Sequence, residues 1–116
     1  HLSLRRQRQM CIRDRNNVEV HVTELAVRNY DNDAEPEHAA FYKKLVQTYV
    51  DINKAAQAAG KTGPITSLSI WGLFDAPYLS TADYSYKMNG PYCGLFTELY
   101  QPKQSFKEVY EVLAAE

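Results

Sequence analysis

Several kinds of chemistry are excluded by what this sequence has little of. Cysteine occurs twice, at Cys11 and Cys93, too few for a disulfide framework. The five glycines, Gly60, Gly63, Gly72, Gly90 and Gly94, are scattered, so no glycine-rich phosphate loop is present. Of the three histidines, His21 and His38 stand far apart without cysteine or carboxylate partners at metal-ligand spacing. No apolar run approaches the roughly 20 residues needed to span a bilayer. No internal repeat, low-complexity tract or serine-hydrolase signature appears. The expectation is a chain with no metal, no cofactor and no membrane association.

What is there divides sharply by charge. Residues 1–15 hold five arginines and one aspartate, a local balance of +4, against an overall net charge of −1. A basic arm ahead of an acidic domain is one pattern of nucleic-acid binding. The leader His1 to Arg15, however, resembles translated sequencing adapter, so it is set aside from fold reasoning and no nucleic-acid partner is expected. Residues 16–116 then form the unit to be read, and Cys93 is its one cysteine. Nine tyrosines against four phenylalanines suit polar ligands such as sugars, although tyrosine is equally at home at the edge of a core.

Val18, Val20 and Val22 alternate with Glu19, His21 and Thr23, which predicts a strand ending at Glu24-Leu25. Arg28 to Glu35 is a polar loop. Pro36 then opens a helix, with Glu35 and Glu37 suiting its N-terminal dipole. Phe41, Leu45, Tyr49, Ile52, Ala56 and Ala59 recur at helical spacing as its apolar face. Gly60 is the expected C-cap, and Gly63-Pro64 stops continuation. Ile65 to Trp71 reads as a second strand, Gly72 to Pro102 as a long aromatic loop. A last helix starts near Ser105 with Glu108 completing a capping box. Phe106, Val109, Tyr110 and Leu113 are its predicted buried stripe.

Strand, helix, strand, helix is the pattern of a parallel α/β sheet. Parallel strands are normally covered on both faces, and two helices cannot do that for both strands. The pattern therefore points to further strands outside this sequence.

The sharpest chemical feature is Glu24 at the C-terminal end of the first strand. A carboxylate there is placed to act as nucleophile or acid, or simply to meet water. The run His21-Val22-Thr23-Glu24-Leu25 resembles the strand-seven motif of glycoside hydrolase family ten, the xylanases. Trp71-Gly72-Leu73-Phe74-Asp75 resembles that family's strand-eight motif. Gly94-Leu95-Phe96, Gln101-Pro102-Lys103-Gln104, Phe106 and Val109 are similar to its closing pattern, in the same order.

The resemblance implies part of a (β/α)₈ barrel, strands seven and eight with their helices, since a whole barrel needs about 250 residues. It implies Glu24 as catalytic nucleophile of a retaining endo-1,4-β-xylanase, Trp71 and Tyr78 as sugar contacts, and Asp75 as a supporting group at the loop base. Its substrate would be xylan or xylo-oligosaccharide, without cofactor or metal, and its location extracellular. Retention needs a second carboxyl group about 5–5.5 Å from the first, which in the family comes from strand four, outside this sequence. The fragment alone is therefore expected to be inactive. Ala26 stands where the family has an aspartate, and Tyr78 near where it has a tryptophan. Tyr84, Tyr86 and Tyr92 are further candidates for the same loop. Two other readings stay open: a non-catalytic carbohydrate-binding domain, and another retaining barrel β-glycanase.

Overall fold

A computed structural model describes residues 18–77 and 89–115. The leader and Tyr78, Tyr84 and Tyr86 lie outside the described residues. Strand β1 (Val20–Leu25) is followed by a 3₁₀ turn at Asn32–Ala34, helix α1 (Glu35–Ala58), strand β2 (Ile65–Ile70) and helix α2 (Gln104–Ala114). The two strands pair in parallel, so α1 is the crossover of a βαβ unit. Trp71 falls just past β2 instead of inside it.

Both ends of α1 are set locally. Asp31 caps the 3₁₀ turn by accepting from the Asp33 N–H at 2.9 Å, and α1 begins at Glu35, with Pro36 in its first turn. At the other end Gly60 takes φ 78°. The Lys61 N–H then reaches Ala56 O at 2.9 Å and the Gly60 N–H reaches Gln57 O at 3.0 Å. This is the Schellman arrangement that glycine permits. Asn53 pins the return: its Nδ2 donates to Ile65 O at 2.8 Å, and the Ile65 N–H donates to its Oδ1 at 2.9 Å. The start of β2 is thus fastened to α1 before the strand pairs with β1.

The core gathers Val20, Val22 and Leu25 of β1 with Val27, Tyr42, Leu45, Val46, Tyr49 and Val50, and with Leu95, Val109 and Val112. The buried face of α1 keeps Leu45, Tyr49 and Ala56 of the expected stripe, with Ile52 partly buried, and departs from it at both ends. Ala39, Tyr42 and Val46 are fully enclosed, whereas Phe41 is 42% exposed and Ala59 is also outside. Ala39, Tyr42, Val46 and Val50 widen the expected face to one side, and α2 packs on α1. In α2 the expected stripe is half right: Val109 is buried and Phe106 partly so, but Tyr110 and Leu113 are exposed and Val112 takes the inner position.

The capping box expected at Ser105 does not form. Lys103 is the N-cap and makes no side-chain cap bond. Ser105 lies inside the first turn, fully buried, and its N–H donates to Glu35 Oε2 at 2.8 Å. A carboxylate from a distant part of the chain does the work assigned to a local one.

The sheet carries two compensating irregularities. Val20 pairs with Ile65 and His21 with Ser67, so β2 holds an extra residue, Thr66. Val22 pairs with Leu68 and Leu25 with Ile70, so β1 holds an extra residue in the Thr23-Glu24 pair. The second bulge breaks the alternation of β1: Thr23 and Glu24 are both exposed before Leu25 turns back into the core.

Candidate active site

Glu24 is exposed on the last turn of chain before β1 ends. Without the bulge, strict alternation would put it on the face of Val20 and Val22, against the core. With it, the carboxylate leaves that face. Trp71 stands beside the same end of the sheet, its N–H donating to Leu25 O at 2.9 Å, with the residue 47% exposed. The structure therefore brings the Glu24 and Trp71 positions together at the C-terminal end of two adjacent parallel strands. His21 lies toward the other end, bonded to Ser67 Oγ at 2.9 Å and 3.5 Å from Glu19. Among the described residues no group of three or more histidine, cysteine, aspartate or glutamate side chains is arranged to hold a metal, and no described helix is long and apolar enough to cross a membrane.

The segment that follows Trp71 is stitched to the segment that precedes α2. Leu73 O accepts from Leu95 N at 2.9 Å and from Phe96 N at 3.1 Å, and Asp75 N donates to Phe96 O at 2.8 Å. The two segments approach so closely that a Cβ on Gly94 would fall 2.5 Å from Phe74 C and 2.6 Å from Asp75 N. Gly90 is equally constrained, with φ 90° and Asn29 O 2.3 Å from where a Cβ would stand.

Asp75 is 3% exposed and accepts from the Gly94 N–H at 3.0 Å and Lys103 Nζ at 2.9 Å. Burial pushes its carboxyl above the ordinary value, against the hydrogen bond and charge of Lys103. Lys103 Nζ also donates to the carbonyls of Tyr92 and Gly94, each at 2.9 Å, and lies 3.2 Å from Glu35 Oε1. Glu35 in turn accepts from His38 Nδ1 at 2.9 Å, and His38 Nε2 lies 3.1 Å from Val27 O. Burial by itself would push Glu35 up. The His38 hydrogen bond, the Ser105 N–H and the Lys103 charge outweigh it and hold the carboxyl at about 2. Asp75 is thus committed to a buried ion pair, which leaves it no exposed proton to give a leaving group.

Glu35, His38 and Lys103 are the residues that sequence reasoning left out of the site. In sequence Glu35 suits the helix dipole, His38 lacks partners at metal-ligand spacing, and Lys103 belongs to the closing run Gln101-Pro102-Lys103-Gln104. The one local signal was the three-residue spacing of Glu35 and His38 on a helix.

No family model matches the sequence, and no curated protein does. Solved structures do match. Native xylanase 10B of Thermotoga maritima superposes with a TM-score of 0.70 at 18% identity, over 94% of this chain and 31% of that one. Xylanase 10B of Thermotoga petrophila RKU-1, in complex with xylobiose, gives 0.69 at 18% identity over 94% and 31%. A GH10 endoxylanase from sugarcane soil metagenome gives 0.68 at 18% identity over 95% and 35%. The fold is that of part of a family-ten xylanase barrel. The chain spans about a third of the length of these structures. Among the described residues β1 and β2 form a two-stranded sheet, which fits that relationship, since in a barrel each strand has neighbours on both sides.

Proposed function

We propose that this chain is strands seven and eight, with their helices, of a retaining endo-1,4-β-xylanase. One observation carries the reading: Glu24 leaves the core face at the C-terminal end of β1, beside Trp71 at the end of the adjacent parallel strand. Barrel enzymes place their chemistry at that end. In this reading the Glu24 carboxylate attacks the anomeric carbon of a xylosyl unit. The C–O bond to the leaving sugar breaks as a carboxyl group from elsewhere in the barrel protonates the departing oxygen. That second group then takes a proton from water, which releases the xylosyl unit with its configuration retained.

Trp71 offers an indole face to the apolar face of a pyranose ring, and Tyr78 is a second sugar contact on the strength of the sequence resemblance. Asp75, held by Lys103, supports the base of that loop. Xylan or xylo-oligosaccharide is the substrate class, in keeping with the xylobiose bound to the Thermotoga petrophila enzyme. Polysaccharide of this kind is met outside the cell, so the working protein is extracellular. No cofactor enters this chemistry.

The test uses the polypeptide that extends upstream of Asn16 to include the remaining strands. It should turn over xylan faster than barley β-glucan, and Glu24→Ala should abolish turnover. Added azide should restore cleavage of an activated aryl xyloside, giving the α-xylosyl azide. Undiminished xylan hydrolysis by Glu24→Ala would remove the nucleophile reading, and preference for the β-glucan would move the substrate.

A further inference from the structure

We propose that Glu35 and His38, through Lys103 and Asp75, are positioning residues that hold the Trp71 loop against the end of β1. The inference deepens the sugar-platform reading of Trp71 and rests on it for its purpose, although its geometry does not. The path is continuous. Val27, three residues beyond Glu24, meets His38 Nε2 at 3.1 Å, and His38 Nδ1 meets Glu35 Oε1 at 2.9 Å. Glu35 Oε1 lies 3.2 Å from Lys103 Nζ, which donates to Asp75 Oδ1 at 2.9 Å. Asp75 stands four residues beyond Trp71. The two chain segments that leave the β1 and β2 ends are therefore tied to one another through the first turn of α1 and the residue before α2.

Three features separate this arrangement from ordinary surface pairing. The side chains of His38, Lys103 and Asp75 are 1%, 5% and 3% exposed, so solvent screens the Lys103–Asp75 pair little. Lys103 satisfies its three protons on carbonyl and carboxylate oxygens, which fixes the head-group instead of merely neutralising it. A second ladder runs alongside: Asn29 N donates to Asn89 O at 2.8 Å, and Tyr92 N donates to Asn29 O at 3.1 Å. Loosening one strand's exit therefore loosens the other's. A buried network anchored on a fully bonded ammonium group favours one arrangement of the elements it joins.

Trp71 is the sole tryptophan, so its fluorescence in the 116-residue chain reports on this loop alone and needs no sugar. Acrylamide quenching of Trp71 would be compared in the wild type, Glu35→Gln, Asp75→Asn and Thr66→Ala. Thr66 bonds Glu19 at 2.7 Å toward the opposite end of the sheet and serves as control. Glu35 reaches the Trp71 loop through Lys103, so its neutral variant tests transmission along the path. Glu35→Gln and Asp75→Asn should raise the quenching constant roughly twofold through local opening, with helical far-UV dichroism unchanged and Thr66→Ala silent.

Quenching unchanged in both variants overturns the proposal. So does a wild type as freely quenched as a tryptophan amide in solution. A variant that loses its helical signal along with the order of Trp71 overturns it too, because Trp71 would then be released by unfolding of the whole chain and not by opening of its loop. The xylanase reading can fail independently: flat quenching leaves Glu24 untouched, and an extended protein inert on xylan leaves the quenching result standing.

Discussion

Lys103 Nζ and Asp75 Oδ1 meet at 2.9 Å across 28 positions of sequence, both almost wholly withdrawn from solvent. A buried pair of this kind adds less to stability than its Coulomb attraction suggests, because both charges are desolvated. Removing one partner is another matter. Lys103→Met strands Asp75 and leaves the Tyr92 and Gly94 carbonyls without their donor, and should cost about 3–5 kcal/mol. The double variant Lys103→Met with Asp75→Asn should recover part of that loss. Urea unfolding of the three variants, read as a double-mutant cycle, gives the coupling between them.

Glu35 should make stability depend on acid. Its carboxyl is held at about 2 against an ordinary 4.5, so the ionised form is favoured by folding. The stabilisation is complete above about pH 4.5 and is lost as pH falls through about 2, on the order of 3 kcal/mol in all. Asp75 acts with opposite sign. Burial raises its carboxyl, so protonation as pH falls below its folded value relieves part of a cost. Midpoints of urea unfolding between pH 6 and 2 should fall for the wild type and be flatter for Glu35→Gln.

Two glycines should respond very differently to alanine. At Gly60 a Cβ meets nothing within 4 Å, so Gly60→Ala carries only the left-handed backbone penalty of about 1–2 kcal/mol. At Gly94 the same Cβ falls 2.5 Å from Phe74 C, and backbone cannot step aside as a flexible side chain can. Gly94→Ala should separate the 72–76 and 92–96 segments and lower the melting temperature well beyond Gly60→Ala. Thermal unfolding of both variants checks the contrast.

Ser105→Ala decides between a local and a distant cap for α2. As a helix cap, the serine hydroxyl would be worth about 1 kcal/mol. In the structure that hydroxyl is buried, meets no partner in full hydrogen-bond geometry, and adds only the smallest of the influences that hold the Glu35 carboxyl down. Ser105→Ala should therefore cost clearly less than a lost cap. Glu35→Ala, which removes the acceptor of the Ser105 N–H, should cost more. Chemical denaturation of the pair gives the ordering.

What could be read from sequence was what short stretches decide for themselves. The valine alternation of β1, the helix from the Pro36 turn to Gly60 and the turn back into β2 each follow from neighbours a few residues apart. The inner face of α1 is legible in part: Leu45, Tyr49 and Ala56 follow from spacing, but Phe41 and Tyr42 both head acceptable apolar stripes, and only tertiary packing puts Tyr42 inside. The cap of α2 failed for a related reason: Ser105 and Glu108 satisfy a local motif, but Glu35 arrives from 70 positions away with a stronger acceptor. At the site, Glu24 and Trp71 stood out through position and resemblance. The Glu35–His38–Lys103 cluster does not, since only Glu35 and His38 stand at helical spacing, and nothing local brings Lys103 and Asp75 to them.

The paired bulges of β1 and β2 bear on how such a sheet changes over time. One strand carries its spare residue early and the other carries its own late, so the two ends remain aligned while the middle is displaced. Losing Thr66 alone would shift everything downstream by one step against β1 and turn the Trp71 end away from Glu24. Losing one residue from each strand would restore the frame at the far end. Length variants among descendants of this sheet should accordingly arise as matched pairs, a deletion in one strand surviving where the adjacent strand has shed a residue too.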